Sequence, residues 1–282
     1  PSGCPEMQAG DPFAWVLPWL EPGGLEAFGL CLVRTTALVL AAPLFGPRTG
    51  LTAFRVALIL VLAGVGAAHG PAPAEAALGA VGLPVYATLA LRELGLGLFM
   101  GMIVQLGALA LRMAGDSIGT EMGLQMAAQA DPDNGISTPL IARLYEELYL
   151  LALFSVGGHL WLVRGLVDSF ERAPIGSARL APELGRDLLA ELGRALAAGL
   201  SVAAPVLILM GLLTLGLGLL ARTVPQVNIF DLSFNLRVGV GLVALVLFLP
   251  TLEPALGRAV AELQDALAAG LDRLAQAEAA HG

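Results

Sequence analysis

Lysine is missing from this chain, and all fifteen basic residues are arginine. Charge of either sign is scarce, at 13% of residues, where a soluble domain carries roughly a quarter. That excludes an ordinary soluble globular fold. The net charge of −8 excludes a basic stripe for nucleic acid, so no nucleic-acid partner is expected. Cysteine is nearly absent too. Cys4 and Cys31 lack partners at metal-ligand spacing and are too few for a disulfide framework. The three histidines are His69, His159 and His281, and no HExxH occurs, so a metalloprotease site has no ligands. GxSxG, Walker-type loops and paired-cysteine sites are missing as well. No nucleophile–base pair is visible, so neither an enzyme nor a cofactor is expected. Residues 1–24 show no basic region ahead of a short apolar run, so no secretory signal is expected there.

What is abundant is apolar surface: 57% of residues are hydrophobic, with 35 glycines and 18 prolines. Membrane helices that pack closely or break have this composition. The chain therefore reads as an integral membrane protein or as an apolar subunit of a tight complex. Charge-free runs cover 35–47, 56–74, 76–91, 94–111, 148–163, 195–221 and 238–252. A bilayer core needs about 20 helical residues, which only 195–221 comfortably exceeds. The run 94–111 becomes long enough if Arg92 and Glu93 lie inside the span, facing protein or water rather than lipid. Five arginines between Arg164 and Arg194 assign that segment to the cytoplasm. Alternation counted from a cytoplasmic Arg48–Arg55 loop places it on the opposite side. Either the span count or simple alternation fails.

Two amphipathic stretches flank the spans. Pro182 opens a helix with Leu184, Leu188, Leu192 and Leu196 on one face. The tail, 253–282, sets Leu256, Val260, Leu263, Leu267, Leu271 and Leu274 opposite Glu262, Asp265 and Asp272. It would dock on a partner or on the rest of the protein, or remain a surface helix. The division is thus an N-terminal segment (1–24), a helical core (25–252) and this tail.

At the centre stands GDSIGTEMGLQMAAQADPDNGISTP, residues 115–139. With 112–129 helical, Gly115, Gly119 and Gly123 form a small-residue face that admits a neighbouring backbone. Met122 and Met126 continue that side with long, unbranched side chains suited to irregular gaps. Gln125 and Gln129 flank them. Asp131-Pro132-Asp133-Asn134-Gly135 then ends the helix in turn-forming residues. A helix contact followed by a loop accounts for the stretch; so does a mobile constriction sealed by soft side chains. Composition does not choose.

His159, inside an apolar run, is expected to make a structural hydrogen bond, with Gly157 and Gly158 admitting a neighbouring backbone. Pro225 breaks the helix after the 195–221 run, and Gln226 and Asn228 can satisfy freed backbone groups. A re-entrant turn and a subunit contact fit equally there.

A series of motifs carries a resemblance. Arg34 precedes APLFGPR, and Arg55 follows. Then come ELGLGLFMG from Glu93 to Gly101, and AGDSIGTEMGL from Ala114 to Leu124. Asp131-Pro132 and STPLIARLY follow, then GGHLWLV around His159 and DSFERAPIG from Asp168 to Gly176. RTVPQVNIF, with Phe230, closes the series. In this order, over about residues 28–250, they resemble the flagellar biosynthetic FliR family and its virulence-secretion counterpart, the T component of type III export. Departures are Asp116 in place of glutamate, no proline near Leu51, and SFNLR with Asn235 where the family tends to have a proline.

The resemblance implies an all-α, membrane-associated fold of helical hairpins with broken helices, built into a helical export gate. The hairpins would sit largely above the bilayer plane, which would relieve the topology conflict. It implies a non-enzymatic subunit, without metal or cofactor, in the bacterial inner membrane at the flagellar basal body. Its partners would be FliP-like and FliQ-like gate subunits, an FlhB-like switch protein and unfolded flagellar export substrates. Residues 122–138 would plug the closed channel. Met122, Leu124 and Met126 would sit against methionines of neighbouring subunits, Gly123 and Gly135 would give mobility, and Asp131 and Pro132 would shape the turn. Gly97, Gly101, Gly115 and Gly119 are expected in helix packing. Arg92, Glu93, Asp116, His159, Pro225, Gln226 and Asn228 are expected as buried polar groups or subunit contacts. Arg92 and Glu93 would pair across subunits. The injectisome branch is the nearest alternative. A secondary transporter for a small solute also uses broken helices, but calls for an internal repeat that is not visible here.

Overall fold

The computed structural model describes residues 24–45, 52–69, 82–124, 140–176, 182–223 and 229–279. Among them there is helix and no strand. Seven α-helices follow in order: α1 Gly24–Ala41, α2 Thr52–His69, α3 Leu83–Glu121, α4 Leu140–Ser155, α5 Gly158–Arg172, α6 Pro182–Thr223 and α7 Ile229–Ala279. A 3-10 turn, Pro43–Phe45, follows α1. Among the described residues, four helices are long and apolar enough to cross a membrane, or five if the bent α4–α5 pair counts as one span. The chain is an all-α membrane protein.

The part of the run 76–91 from Leu83 onward and the run 94–111 merge into one helix. Gly82 caps α3 with Pro84 in its first turn, where a missing N–H costs nothing. The helix then runs 39 residues, roughly 58 Å, straight through Arg92 and Glu93. It is the axis of the fold and touches α1, α4, α6 and α7. Two-thirds of its most apolar window is buried, against 22% for α6 and 11% for α7. The last two helices therefore carry much of the outward apolar surface.

Glycines set the spacing around that axis. A Cβ on Gly101 would lie 2.5 Å from the Ala41 Cβ on α1. One on Gly115 would lie 2.7 Å from the Ala142 Cα on α4. Gly119 is buried on the same helix.

Two expectations change. The run 148–163 is not one straight segment: α4 and α5 meet at 68°. Gly157 makes the elbow, at φ 77° and ψ 25°, a left-handed conformation costly for any residue with a Cβ. Nor is the helix continuous past Glu121, where α3 stops and Gly123, at φ 77°, turns the chain aside.

The C-terminal half of α7 folds back on its own chain. Its Leu256, Val260, Leu263, Leu267 and Leu271 are all buried. Arg172 on α5 pairs with Asp272, and Arg273 pairs with Asp187 on α6, so this end is held at two points.

Candidate functional site

Arg34 on α1 and Glu93 on α3 are both wholly buried and form an ion pair, Nε to Oε2, at 2.6 Å. Each partner also reaches the end of α5. Arg34 Nη1 donates to the Ser169 carbonyl at 2.9 Å and to its hydroxyl at 3.2 Å. Arg34 Nη2 donates to the Ala173 carbonyl at 2.9 Å. The guanidinium carbon lies 4.5 Å from the centre of the Phe170 ring. Glu93 Oε1 accepts the Gly176 N–H at 3.0 Å.

The logic is that of a helix terminus. The Ser169 carbonyl already accepts the Ala173 N–H at 3.0 Å, and the planar fork adds a second donor to it and one to the carbonyl of the C-cap residue Ala173. Both carboxylate oxygens are used, so neither buried charge is left uncompensated. Gly176, at φ 84°, belongs to the turn whose N–H meets Glu93. Two glycines make room. A Cβ on Gly97 would overlap the Arg34 carbonyl oxygen, and one on Gly66 of α2 would strike the Phe170 ring. One turn before Arg34, the Cys31 thiol donates to the Ala63 carbonyl on α2. The knot thus fixes α1, α2, α3 and α5 together.

Arg34, Glu93 and DSFERAPIG stand in separate motifs of the sequence, where neither their pairing nor the parts of Ala63 and Gly66 is marked, and the resemblance groups Glu93 with Arg92 across a subunit contact. The structure separates those neighbours: Glu93 is consumed within the chain, while Arg92 is exposed.

The second construction lies at the other end of α3. The Met122 N–H donates to the Ile118 carbonyl, and the Gly123 N–H to the Thr120 carbonyl. Arg237 on α7 donates to the Glu121 carbonyl at 3.2 Å, matching a cation to the negative end of the helix. Met122 is fully buried over Gly241, where a Cβ would lie 2.6 Å from the methionine Cγ. The Phe234 ring lies beside Gly123. The chain is therefore pinned to α7 where it leaves α3. Met122 is spent on this internal contact. Leu124 is half-buried, while Met126, Asp131, Pro132 and Gly135 lie outside the described residues.

The remaining positions separate. Asp116 is half-buried, and its carbonyl accepts the Thr120 hydroxyl. His159 is half-buried at the α4–α5 elbow and stacks on Phe154, ring centres 5.3 Å apart. Its Nδ1 has no hydrogen-bond partner among the described residues, so the expected structural hydrogen bond is not found there. The reason is local: Gly158 packs on Leu153 of the preceding helix, leaving the ring against Phe154. Pro225, Gln226 and Asn228 lie outside the described residues.

Residues 25–263 match the family described as bacterial export proteins, family 1. The chain belongs to that family. It is 32% identical to the flagellar biosynthetic protein FliR of Escherichia coli (strain K12) over 227 residues, 79% of this chain and 84% of the relative. It is 31% identical to FliR of Pectobacterium carotovorum subsp. carotovorum over 260 residues, covering 91% and 97%. With the Yop proteins translocation protein T of Yersinia pestis it shares 26% identity over 159 residues, 56% and 61% of the two chains. The family match contains the whole Arg34–Glu93 knot and the Met122–Gly241 contact. It ends within α7, before Leu267, Leu271 and the ion-paired Asp272 and Arg273.

Proposed function

We propose that this chain is the FliR-type subunit of a flagellar type III protein export gate in the bacterial inner membrane. The observation that carries the reading is likeness to FliR proteins along nearly the entire chain, 91% of it in one case. The flagellar branch is favoured over the injectisome because the likeness to the translocation protein T covers only 56% of the chain, at lower identity. In this role the subunit performs no chemistry. It assembles with FliP-like and FliQ-like subunits and an FlhB-like switch protein around a path for unfolded flagellar substrates.

Within that assembly, residues 122–138 close the path. The Met122–Gly123 corner supports this role as a fixed base, held on α7 by Arg237 and Gly241, from which the following segment extends. Met126, Asp131, Pro132 and Gly135 belong to the closing segment itself. The test has two stages. Deleting the gene in its native host should abolish motility and remove hook and filament proteins from the medium, both restored by this chain. Loss of virulence effectors alone would assign the injectisome branch. In the complemented strain, deletion of 126–135 should make the membrane leaky to ions; a strain as tight as its parent would remove the plug assignment.

A further inference from the structure

Three prolines interrupt the two longest described helices: Pro205 in α6, and Pro250 and Pro254 in α7. Each lacks the N–H that the carbonyl four residues earlier would accept, so Ser201, Val246 and Pro250 each lose that helical partner. The prolines fall at one level of the pair. From Pro205 to Thr223 α6 runs about 27 Å, and from Ile229 to Pro250 α7 runs about 32 Å. Ser201 and Val202, just before Pro205, line one cleft with Ala255 and Leu256, just after Pro254. Two antiparallel helices are therefore weakened side by side. Proline is the commonest cause of a bend in a helix.

The two sides of this level differ in packing. On the near side Leu256, Val260, Leu263 and Leu267 are buried, and a Cβ on Gly199 would overlap the Ala110 carbonyl of α3. On the far side Ile208, Leu212, Leu215 and Leu219 of α6 are largely exposed, as are Val243 and Val246 of α7. A Cβ on Gly211, Gly216, Gly218 or Gly239 would meet nothing within 4 Å. Among the described glycines on that side only Gly241 meets another helix, and what it meets is Met122. Close by the prolines, the cleft between α3, α6 and α7 holds about 360 Å³, and Gly107, Ala110, Ala198 and Ala255 are among its lining residues. The far part of the pair can thus turn without displacing large side chains.

We propose that the α6–α7 pair beyond Pro205 and Pro250 is a lever, which turns about the proline level and holds or releases the Met122–Gly123 corner. The consequence for export rests on the closing role proposed above for residues 122–138. A swing of about 10° moves the tip of α6 by about 5 Å and the Arg237 level, about 20 Å out, by about 3 Å. That is enough to break the 3.2 Å hydrogen bond from Arg237 to the Glu121 carbonyl, because such bonds weaken steeply with distance. The same movement lifts Gly241 off Met122, and the corner loses both of its holds on α7 at once.

The lever is tested on the full chain in mild detergent, carrying Cys4→Ser and nitroxide labels on introduced cysteines; Cys31 is buried and stays unlabelled. Pulsed electron resonance reads two distances. Ser117→Cys with Leu219→Cys reports the lever against α3, and Arg92→Cys with Arg258→Cys reports the near side; all four positions are exposed. Arg237→Ala with Gly241→Val, which undoes both holds, should lengthen the lever distance by about 5 Å. Arg237→Ala alone, which adds no bulk, should shift it in the same direction. Adding Pro205→Ala, Pro250→Ala and Pro254→Ala restores the missing N–H groups and should abolish the lengthening. The near-side distance should stay constant throughout, as it does only in a folded chain. A lever distance that ignores release, or a lengthening that ignores the prolines, would overturn the proposal. In the native host the triple-proline variant, at parental abundance, should secrete severalfold less hook and filament protein; parental secretion would overturn the lever's part in export. Ion leakage after deletion of 126–135 judges the closing role separately, so failure of either reading is recognisable.

Discussion

At the scale of single residues, the Arg34–Glu93 pair is where the chain takes its largest electrostatic risk. Removing one partner strands the other in a fully buried site. Arg34→Ala or Glu93→Ala should each destabilise the chain by about 3–5 kcal/mol, and the turn after α5 loses its hydrogen bond to Arg34 or to Glu93 as well. Joint replacement, Arg34→Met with Glu93→Leu, removes both charges and should cost less than either single change. Thermal unfolding of the purified chain in detergent ranks the three. A double variant worse than both singles would mean that the pair's bonds to Ser169, Ala173 and Gly176 outweigh its desolvation cost. Part of this was legible in the sequence. A glutamate and an arginine inside apolar runs must find partners, whichever these are. Their identity was not, because Arg34 and Glu93 are 59 positions apart and nothing local selects one among several arginines.

Elements show the same division. The small-residue pattern of α3 announces close helix contacts, and Gly97, Gly101 and Gly115 do meet α1 and α4 at backbone range. Which glycine bends the chain was less plain. Gly157 and Gly158 stand together within an apolar run, and only the crossing of α4 and α5 makes the first a left-handed elbow. At the C-terminal end of α3, Met122 over Gly241 supplies a testable coupling. Gly241→Val should overpack that contact and lower stability by about 1–3 kcal/mol. Adding Met122→Ala should recover part of the loss, since the two residues share one space. If thermal unfolding shows the two substitutions costing their simple sum, Met122 does not occupy that space.

For the whole molecule, the exposed sides of α6 and α7 are too apolar to face water, as befits a chain that lies among lipid or partner subunits. The C-terminal half of α7 has the opposite part to play, covering α3 and α5 from within. Truncation after Gln264 removes Leu267 and Leu271 and uncovers Phe99, against which Gly270 packs. It should abolish the monodisperse peak in size-exclusion chromatography in detergent. Asp272→Ala and Asp187→Ala together should leave that peak intact, because partly exposed ion pairs contribute only about 0–1 kcal/mol each. Collapse of the double variant alone would show that the ion pairs, and not apolar burial, hold the helix end.

The medium and the material follow from composition and local pattern: too few charges for water, helices from periodic apolar runs, breaks at glycine and proline. The sequence's motif order was enough to suggest the family. Those properties are local or additive, so they survive in a linear string. Tertiary structure alone decided that Glu93 answers Arg34, that Met122 is enclosed by α7, that His159 stacks on Phe154, and that the amphipathic tail turns inward. Each depends on which distant surface arrives opposite a given side chain. That is set by the crossing of whole helices, a choice to which short-range propensity contributes almost nothing.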